Sequence, residues 1–195
     1  TPMPSSAASD VYKRQILGLL MALSLINIGH ELVHRTSKKF DCEVGNWALA
    51  TAWNPAFAIE HVYGHHKNVA LSKDPATARR GENIYKFIIN AIVNEQRDAW
   101  QIEKKRLKSK SLHVLGLNNK LIKGYMKSIS ISVLSYLVGG LAGLLIFLVC
   151  AFIAKALLEV INFTEHYGLI RVEGEKVMPR HSWNSNSIMS SIYLY

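Results

Sequence analysis

Six of the chain's eight histidines fall into three short clusters: His30 and His34 in HELVH, His61, His65 and His66 in EHVYGHH, and His166 in NFTEHYG. Residues four apart share a helix face, which pairs His30 with His34 and His61 with His65. On a regular α-helix His66 is turned by about 100° from His65 and points elsewhere. The run therefore fits either a two-metal site or a segment bent at this point, and Gly64 would permit the bend. Imidazoles crowded beside apolar sequence each need a polar partner, and a metal site partners them all at once. Neutral imidazole suits iron, zinc, copper or nickel. The two cysteines, Cys42 and Cys150, form neither a thiolate zinc cluster nor a disulfide framework. Only Glu31–His34 fits ExxH, too little for a ferritin-type carboxylate centre. Glu31, Glu60 and Glu165 each adjoin a histidine and are candidates to fix imidazole tautomers. HELVH also matches the HExxH zinc-protease signature, with Glu31 as general base, but that reading leaves the other two clusters without a use.

The elements that must carry these clusters read as helical and membrane-associated. Ile16–Gly29 is apolar but shorter than the roughly 20 residues a span needs. Continued through His34, it becomes a membrane helix with polar last turns. Asn46–Ile59 is interrupted by Pro55 and suits a re-entrant or interfacial segment. Asn83–Lys108 places Ile84, Ile88, Ile92, Ala99, Trp100 and Leu107 at near-helical spacing opposite Lys and Arg, as in a helix lying on a membrane face. Ser128–Ala154 holds no charge in 27 residues. As one helix, Lys127–Phe163 would reach about 55 Å, against a hydrocarbon core of about 30 Å. The length predicts a helical hairpin turning near Gly139, Gly140 or Gly143, with both ends on one side. That arrangement lets all three histidine clusters meet at one face.

Charge supports the same picture. The net charge is +9. Nine Lys and Arg lie between Arg97 and Lys127, offset only by Asp98 and Glu103. With an apolar run directly after it and no nucleic-acid motif beside it, the cluster points to a membrane surface, and the positive-inside tendency makes that face cytoplasmic. Residues 1–15 have no apolar periodicity, and DVYKRQ resembles a translated transposon adapter. They read as a non-native scar or disordered tail, with 16–195 as a partial domain. The fold class expected is all-α: a multi-pass membrane helical protein with a histidine-rich cytoplasmic face, truncated at both ends.

NIGHELVHR (Asn27–Arg35), EHVYGHHKNVALSKDPATARRGE (Glu60–Glu82), LLEVINFTEHYGLIR (Leu157–Arg171) and RHSWNSN (Arg180–Asn186) together resemble the bacterial integral-membrane alkane 1-monooxygenases, within the wider membrane desaturase–hydroxylase group. The resemblance runs from about Ile16 to Tyr195. It implies a non-haem diiron site on the cytoplasmic side of the bacterial inner membrane. The two irons would take His30, His34, His61, His65, His66 and His166 as ligands, with Asn162 and His181 near them. The implied reaction inserts one oxygen atom of O2 into the terminal C–H of a medium- or long-chain alkane, with electrons from rubredoxin. Alkyl-aromatic or fatty acyl substrates are the alternative within the group. His113 matches no motif of the family. The resemblance also leads one to expect further membrane helices before Ile16 and a last histidine cluster after Tyr195.

Overall fold

A computed structural model describes Ile16 and residues 20–183, the side chains of 21–23 excepted. The expectations for residues 1–15 and for the end of RHSWNSN lie outside the described residues. All regular structure among the described residues is helical. A π-helical turn, Met21–Ile26, runs into α1 (Asn27–His34). Then come α2 (Lys39–Thr51), the short α3 (Phe57–Glu60), a second π-helical turn (His61–His65), α4 (His66–Asn68), α5 (Ile84–Ser109) and α6 (Lys120–His166).

The first two helices cross at glycines. A Cβ on Gly29 would meet Leu49 Cγ at 3.0 Å, and one on Gly45 would lie 3.0 Å from both Leu32 Cβ and Val33 Cγ1. Any larger residue at either position pushes α1 and α2 apart. Leu49 is fully buried in this contact and packs with Ile26, Val33, Ala52, Phe57 and Ala154. The anticipated break at Pro55 is present, but the helix before it begins at Lys39, well ahead of the apolar run. The chain turns through Trp53 at φ 50° before α3 starts.

Asn83 and Asn119 start the two long helices, each accepting two backbone N–H bonds through its side chain, which satisfies donors the first helical turn leaves open. The buried stripe of α5 is Phe87, Ala91, Glu95, Ala99, Glu103 and Leu107. Every fourth residue is buried, two glutamates included, while Ile84, Ile88 and Ile92 flank the stripe half-buried.

The expected hairpin is present. Within α6 only Gly140 leaves the helical region, at φ 59° and ψ −155°, a backbone that glycine adopts without strain. Phe163 packs edge-on against Phe87 with ring centroids 5.4 Å apart, and the Tyr125 hydroxyl donates to Gln96 Oε1. Positions 87 and 96 are only about 13 Å apart along α5, whereas 125 and 163 would be about 57 Å apart on a straight helix. The two arms therefore run antiparallel. Gly143 backs onto Ser135, whose carbonyl oxygen would sit 2.6 Å from an added Cβ. This hairpin is the one element among the described residues long and apolar enough to cross a membrane.

Candidate metal centre

The three histidine clusters meet. His30, His34, His61 and His66 each offer a ring nitrogen, and these four atoms all lie within 4.8 Å of one another. His61 Nε2 is 2.8 Å from His30 Nε2 and 3.0 Å from His66 Nε2. Nitrogens held about 2.1 Å from one ion can be no more than about 4.2 Å apart, so the 2.8 and 3.0 Å contacts of His61 suit a shared ion, while the full 4.8 Å spread is wider than one ion of that size spans. His65 and His166 flank the group, their rings 4.9 Å apart, and His65 stacks on His61 at 5.2 Å. All six line one cavity of about 520 Å³, with Met178, Pro179, His181 and Ser182 also in its wall.

His66 is where local structure decides the site. A regular helix turns it away from His61, but the His61–His65 stretch is π-helical. The wider turn brings residues five apart into line, and His66 faces both His61 and His34. Gly64 contributes by its size rather than by bending the chain. Its φ is ordinary, but a Cβ there would lie 2.6 Å from Glu60 Oε1 and 3.2 Å from Ile102 Cδ1.

Two histidines are oriented through their Nδ1 atoms. His65 Nδ1 lies 3.0 Å from Asp74 Oδ2, both side chains buried. Thr77 Oγ1 donates to the same carboxylate and the Ala76 N–H to its other oxygen. His166 Nδ1 donates to the His181 carbonyl oxygen at 3.2 Å. In both rings Nε2 is then the unprotonated nitrogen, the tautomer a metal needs.

Burial and then the coulombic effect of His65 push the His66 imidazolium down to about 4, so His66 is neutral at pH 7. Burial alone would lower His65 too, but the charge and hydrogen bond of Asp74, with Glu60 and Glu165 behind, outweigh it and raise the pKa. Burial opposes ionisation of Asp74, yet His65 and the Thr77 and Ala76 donors hold it below the usual carboxylate range.

The expected supporting residues divide. Glu165 Oε2 lies 3.6 Å from His166 Nε2. Glu60 is buried with Oε1 unpartnered. Asn162 donates to Glu159 Oε2 at 3.1 Å rather than to a histidine. His181 is buried beside the cavity, with its Nδ1 accepting from the Met178 N–H. Glu31 pairs with Arg35 at 3.1 Å on the exposed side. His113 lies in the turn between α5 and α6, away from the cluster.

Sequence reasoning passed over Asp74, Arg171 and the charged groups Glu95, Lys155 and Glu159, all buried. Arg171 donates to the carbonyls of Lys67, Val69 and Glu175. With Gly168 N–H on Ala78 O and Arg171 N–H on Ala70 O, it straps the chain after His166 onto the loop after His66.

The model of the family described as fatty acid desaturase matches residues 15–195. The chain belongs to the fatty acid desaturase family. Among curated members of that group, it is 37% identical over 184 residues to alkane 1-monooxygenase 1 of Pseudomonas aeruginosa, covering 92% of this chain and 48% of the relative. It is 35% identical to alkane 1-monooxygenase 2 of Alcanivorax borkumensis, with the same coverages. The hydroxylase component of a xylene/toluene monooxygenase of Pseudomonas putida is 29% identical, over 87% of this chain and 47% of that protein. The chain thus spans about half the length of the curated relatives it matches. In this desaturase-family chain His30, His34, His61 and His66, from the first two clusters, form the group among the described residues that could hold a metal ion.

Proposed function

We propose that the whole protein is a membrane-bound non-haem diiron monooxygenase that hydroxylates the terminal carbon of alkanes. The observation that carries this is the convergence of His30, His34, His61 and His66 within 4.8 Å, in a chain 37% and 35% identical to two alkane 1-monooxygenases over 92% of its length. The donor set is all imidazole, which suits iron and shuns hard oxygen-seeking ions. His30, His34, His61 and His66 would hold one side of the centre, and His65 and His166 the other. When bound, the iron pair supplies the activation of O2.

The protein's own residues do the rest. Asp74 fixes the His65 tautomer and the His181 carbonyl fixes that of His166. Arg171 holds the two histidine-bearing segments in register. Val69, Val177, Met178 and Pro179 give the cavity an apolar side, which suits a hydrocarbon. Exposed Leu137 and Val138 at the turn of the α6 hairpin and Phe152 on its second arm are the surfaces a bilayer would cover. The protein would be a multi-pass inner-membrane enzyme with this centre on the cytoplasmic side, fed electrons by rubredoxin.

The relative that acts on xylene and toluene favours a second substrate class, alkyl-aromatic methyl groups. The zinc-protease reading of HELVH draws no support from the geometry, because the Glu31 carboxylate is engaged by Arg35. The test is the full-length polypeptide in membranes, reconstituted with iron and reduced rubredoxin and offered octane and p-xylene under O2. Formation of 1-octanol, dependent on O2 and lost in His65→Ala, supports the reading. Turnover of p-xylene alone transfers it to the aromatic class, and full activity in His65→Ala overturns the assignment of that cluster.

A further inference from the structure

Beside the histidine cavity, and separate from it, lies a basic groove that the oxidation chemistry does not use. Its first lobe, of about 500 Å³, is walled by α2, α3 and the first two turns of α6, and Lys39, Lys120, Lys123 and Lys127 all line it. A second lobe of about 460 Å³ shares Glu43, Lys123 and Lys127 with the first and is otherwise lined by Trp47, Leu117, Met126 and Ser130. The single carboxylate shared by the two lobes is Glu43, so the groove is an excess of cations around one anion.

Lys127 is built in rather than waving in solvent. Its side chain is 13% exposed, its Nζ is 2.8 Å from Glu43 Oε1, and the same nitrogen stands 5.6 Å from the centre of the Trp47 ring. Lys120 is similarly poised 5.9 Å from the Tyr63 ring centre. Lys120, Lys123 and Lys127 fall on one face of α6, and the charge-free run starts at the next residue, Ser128. Exposed Met126, Ile129 and Val133 continue from the second lobe along that arm at helical spacing.

We propose that this groove is a binding site for one anionic glycerophospholipid, its phosphate among Lys120, Lys123 and Lys127 and an acyl chain along Trp47, Met126, Ile129 and Val133. The inference rests on the membrane location proposed above. The combination is what singles out a lipid: a recess of cations opening onto an apolar stripe, at the depth where Trp and Tyr gather at bilayer surfaces. A soluble acidic protein would match the lysines but leave the apolar lobe unfilled. An inorganic anion would do the same.

The test uses the full-length protein in phosphatidylcholine nanodiscs, titrated with phosphatidylglycerol of the same acyl chains and read by native mass spectrometry as lipid retained per protein. Wild type should retain phosphatidylglycerol over phosphatidylcholine. Each of Lys123→Gln and Lys127→Gln should weaken retention about fivefold, and the pair about thirtyfold. Lys127→Arg, which keeps the charge, should restore it. Lys110→Gln, on a basic position outside the groove, should leave it unchanged. Equal retention of the two lipids overturns the proposal, as does an equal loss in Lys110→Gln, which would mark a diffuse surface charge. Retention of glycerol phosphate as strong as that of the lipid, or salt-sensitive capture of an acidic protein with no lipid preference, overturns it too. Failure of the protein to enter nanodiscs at all is a different result, and strikes the membrane reading instead.

Discussion

The two ends of the α6 hairpin are inverted relative to a soluble helix. At its turn Leu137 is 73% and Val138 82% exposed, whereas near its base Lys155, Glu159, Asn162 and His166 are 6% exposed or less. At the turn apolar groups face outward and at the base of the second arm charged groups face inward, while Lys120 and Lys123 of the first arm stay exposed. That arrangement is stable only where the outside is itself apolar, and it turns the interior into the place where polarity must be managed. The base manages it in two ways. Around the histidine cavity His65 and His166 each have a partner for the nitrogen that faces away from it. One helical turn deeper, Glu60 Oε1, Glu95 Oε2 and Glu159 Oε1 are buried with no hydrogen-bond partner. Lys155, also buried, lies close enough to act on both Glu95 and Glu159. The first layer has its outward nitrogens partnered; the second keeps carboxylate oxygens without a partner, a cost that a purely structural core avoids.

The largest effect separating base from turn should come from the centre of the cavity. His61 Nε2 touches the nitrogens of both His30 and His66. His61→Ala should therefore remove bound iron and hydroxylation together, below detection by metal analysis and product assay. His113→Ala should change neither. If His61→Ala retains full iron, the cavity is not the metal centre. Next in size is Asp74→Asn. The amide keeps the volume but loses the charge and can present a donor to His65 Nδ1, favouring the wrong tautomer. Iron affinity should fall about 10–100-fold with the fold intact by circular dichroism. An unchanged affinity would show that packing alone orients His65.

How much of this was readable from residues alone follows the range of the forces involved. The hairpin was legible because it needs only length, absence of charge and glycine. The pairing of His30 with His34 was legible because it needs only a helix. The position of His66 was not, since a π-helical turn is set by what packs around it, here Glu60 and Ile102 against Gly64. Asp74 escaped notice because it lies nine positions after His65, across α4 and the loop that follows, and no periodicity reports a loop folding back. Glu95 and Glu103 are charged positions that no apolar periodicity marks as core, yet both are 1% exposed. Their partners, Glu159 and Arg106, belong to another helix and to the next turn, and a periodicity search scores a buried carboxylate as exposed by default.

A smaller effect tests whether the π-helical turn depends on that packing. Gly64→Ala places a methyl against Glu60 Oε1 at 2.6 Å. The Glu60 carboxylate is enclosed, so it has little room to yield. Overpacking of this kind costs about 1–3 kcal/mol, and the Tm in detergent should drop by several degrees. Val138→Asn, a more polar change at the exposed turn, should move the Tm in detergent by less than Gly64→Ala does. Equal shifts at the two positions would erase the contrast between base and turn.

The smallest expected effect is on acid stability of the metal-free protein. His66 titrates at about 4 when folded, against an ordinary 6.5, and His61 is shifted in the same direction by burial and then by His65. Groups with lowered folded values bind protons more readily when the chain is unfolded, so their contribution is complete above about pH 6.5 and is lost as pH falls towards 4. His65 has the opposite sign. Its raised value contributes stability that is complete below its unfolded pKa and fades as pH rises through the folded one. Asp74, held below its ordinary value, acts in the same direction as His66, at the acid end of the window where the unfolded carboxyl begins to take up protons. Burial lowers His30 and His34 as well, so four imidazoles of the cluster stand against His65, and the metal-free protein should lose a few degrees of Tm between pH 6.5 and 4. Because a bound ion competes with protons for these same nitrogens, iron should move the loss to lower pH. A Tm that is flat across this window, or identical with and without iron, would mean that His61 and His66 are protonated as freely in the folded chain as in water, which the crowding of their nitrogens forbids.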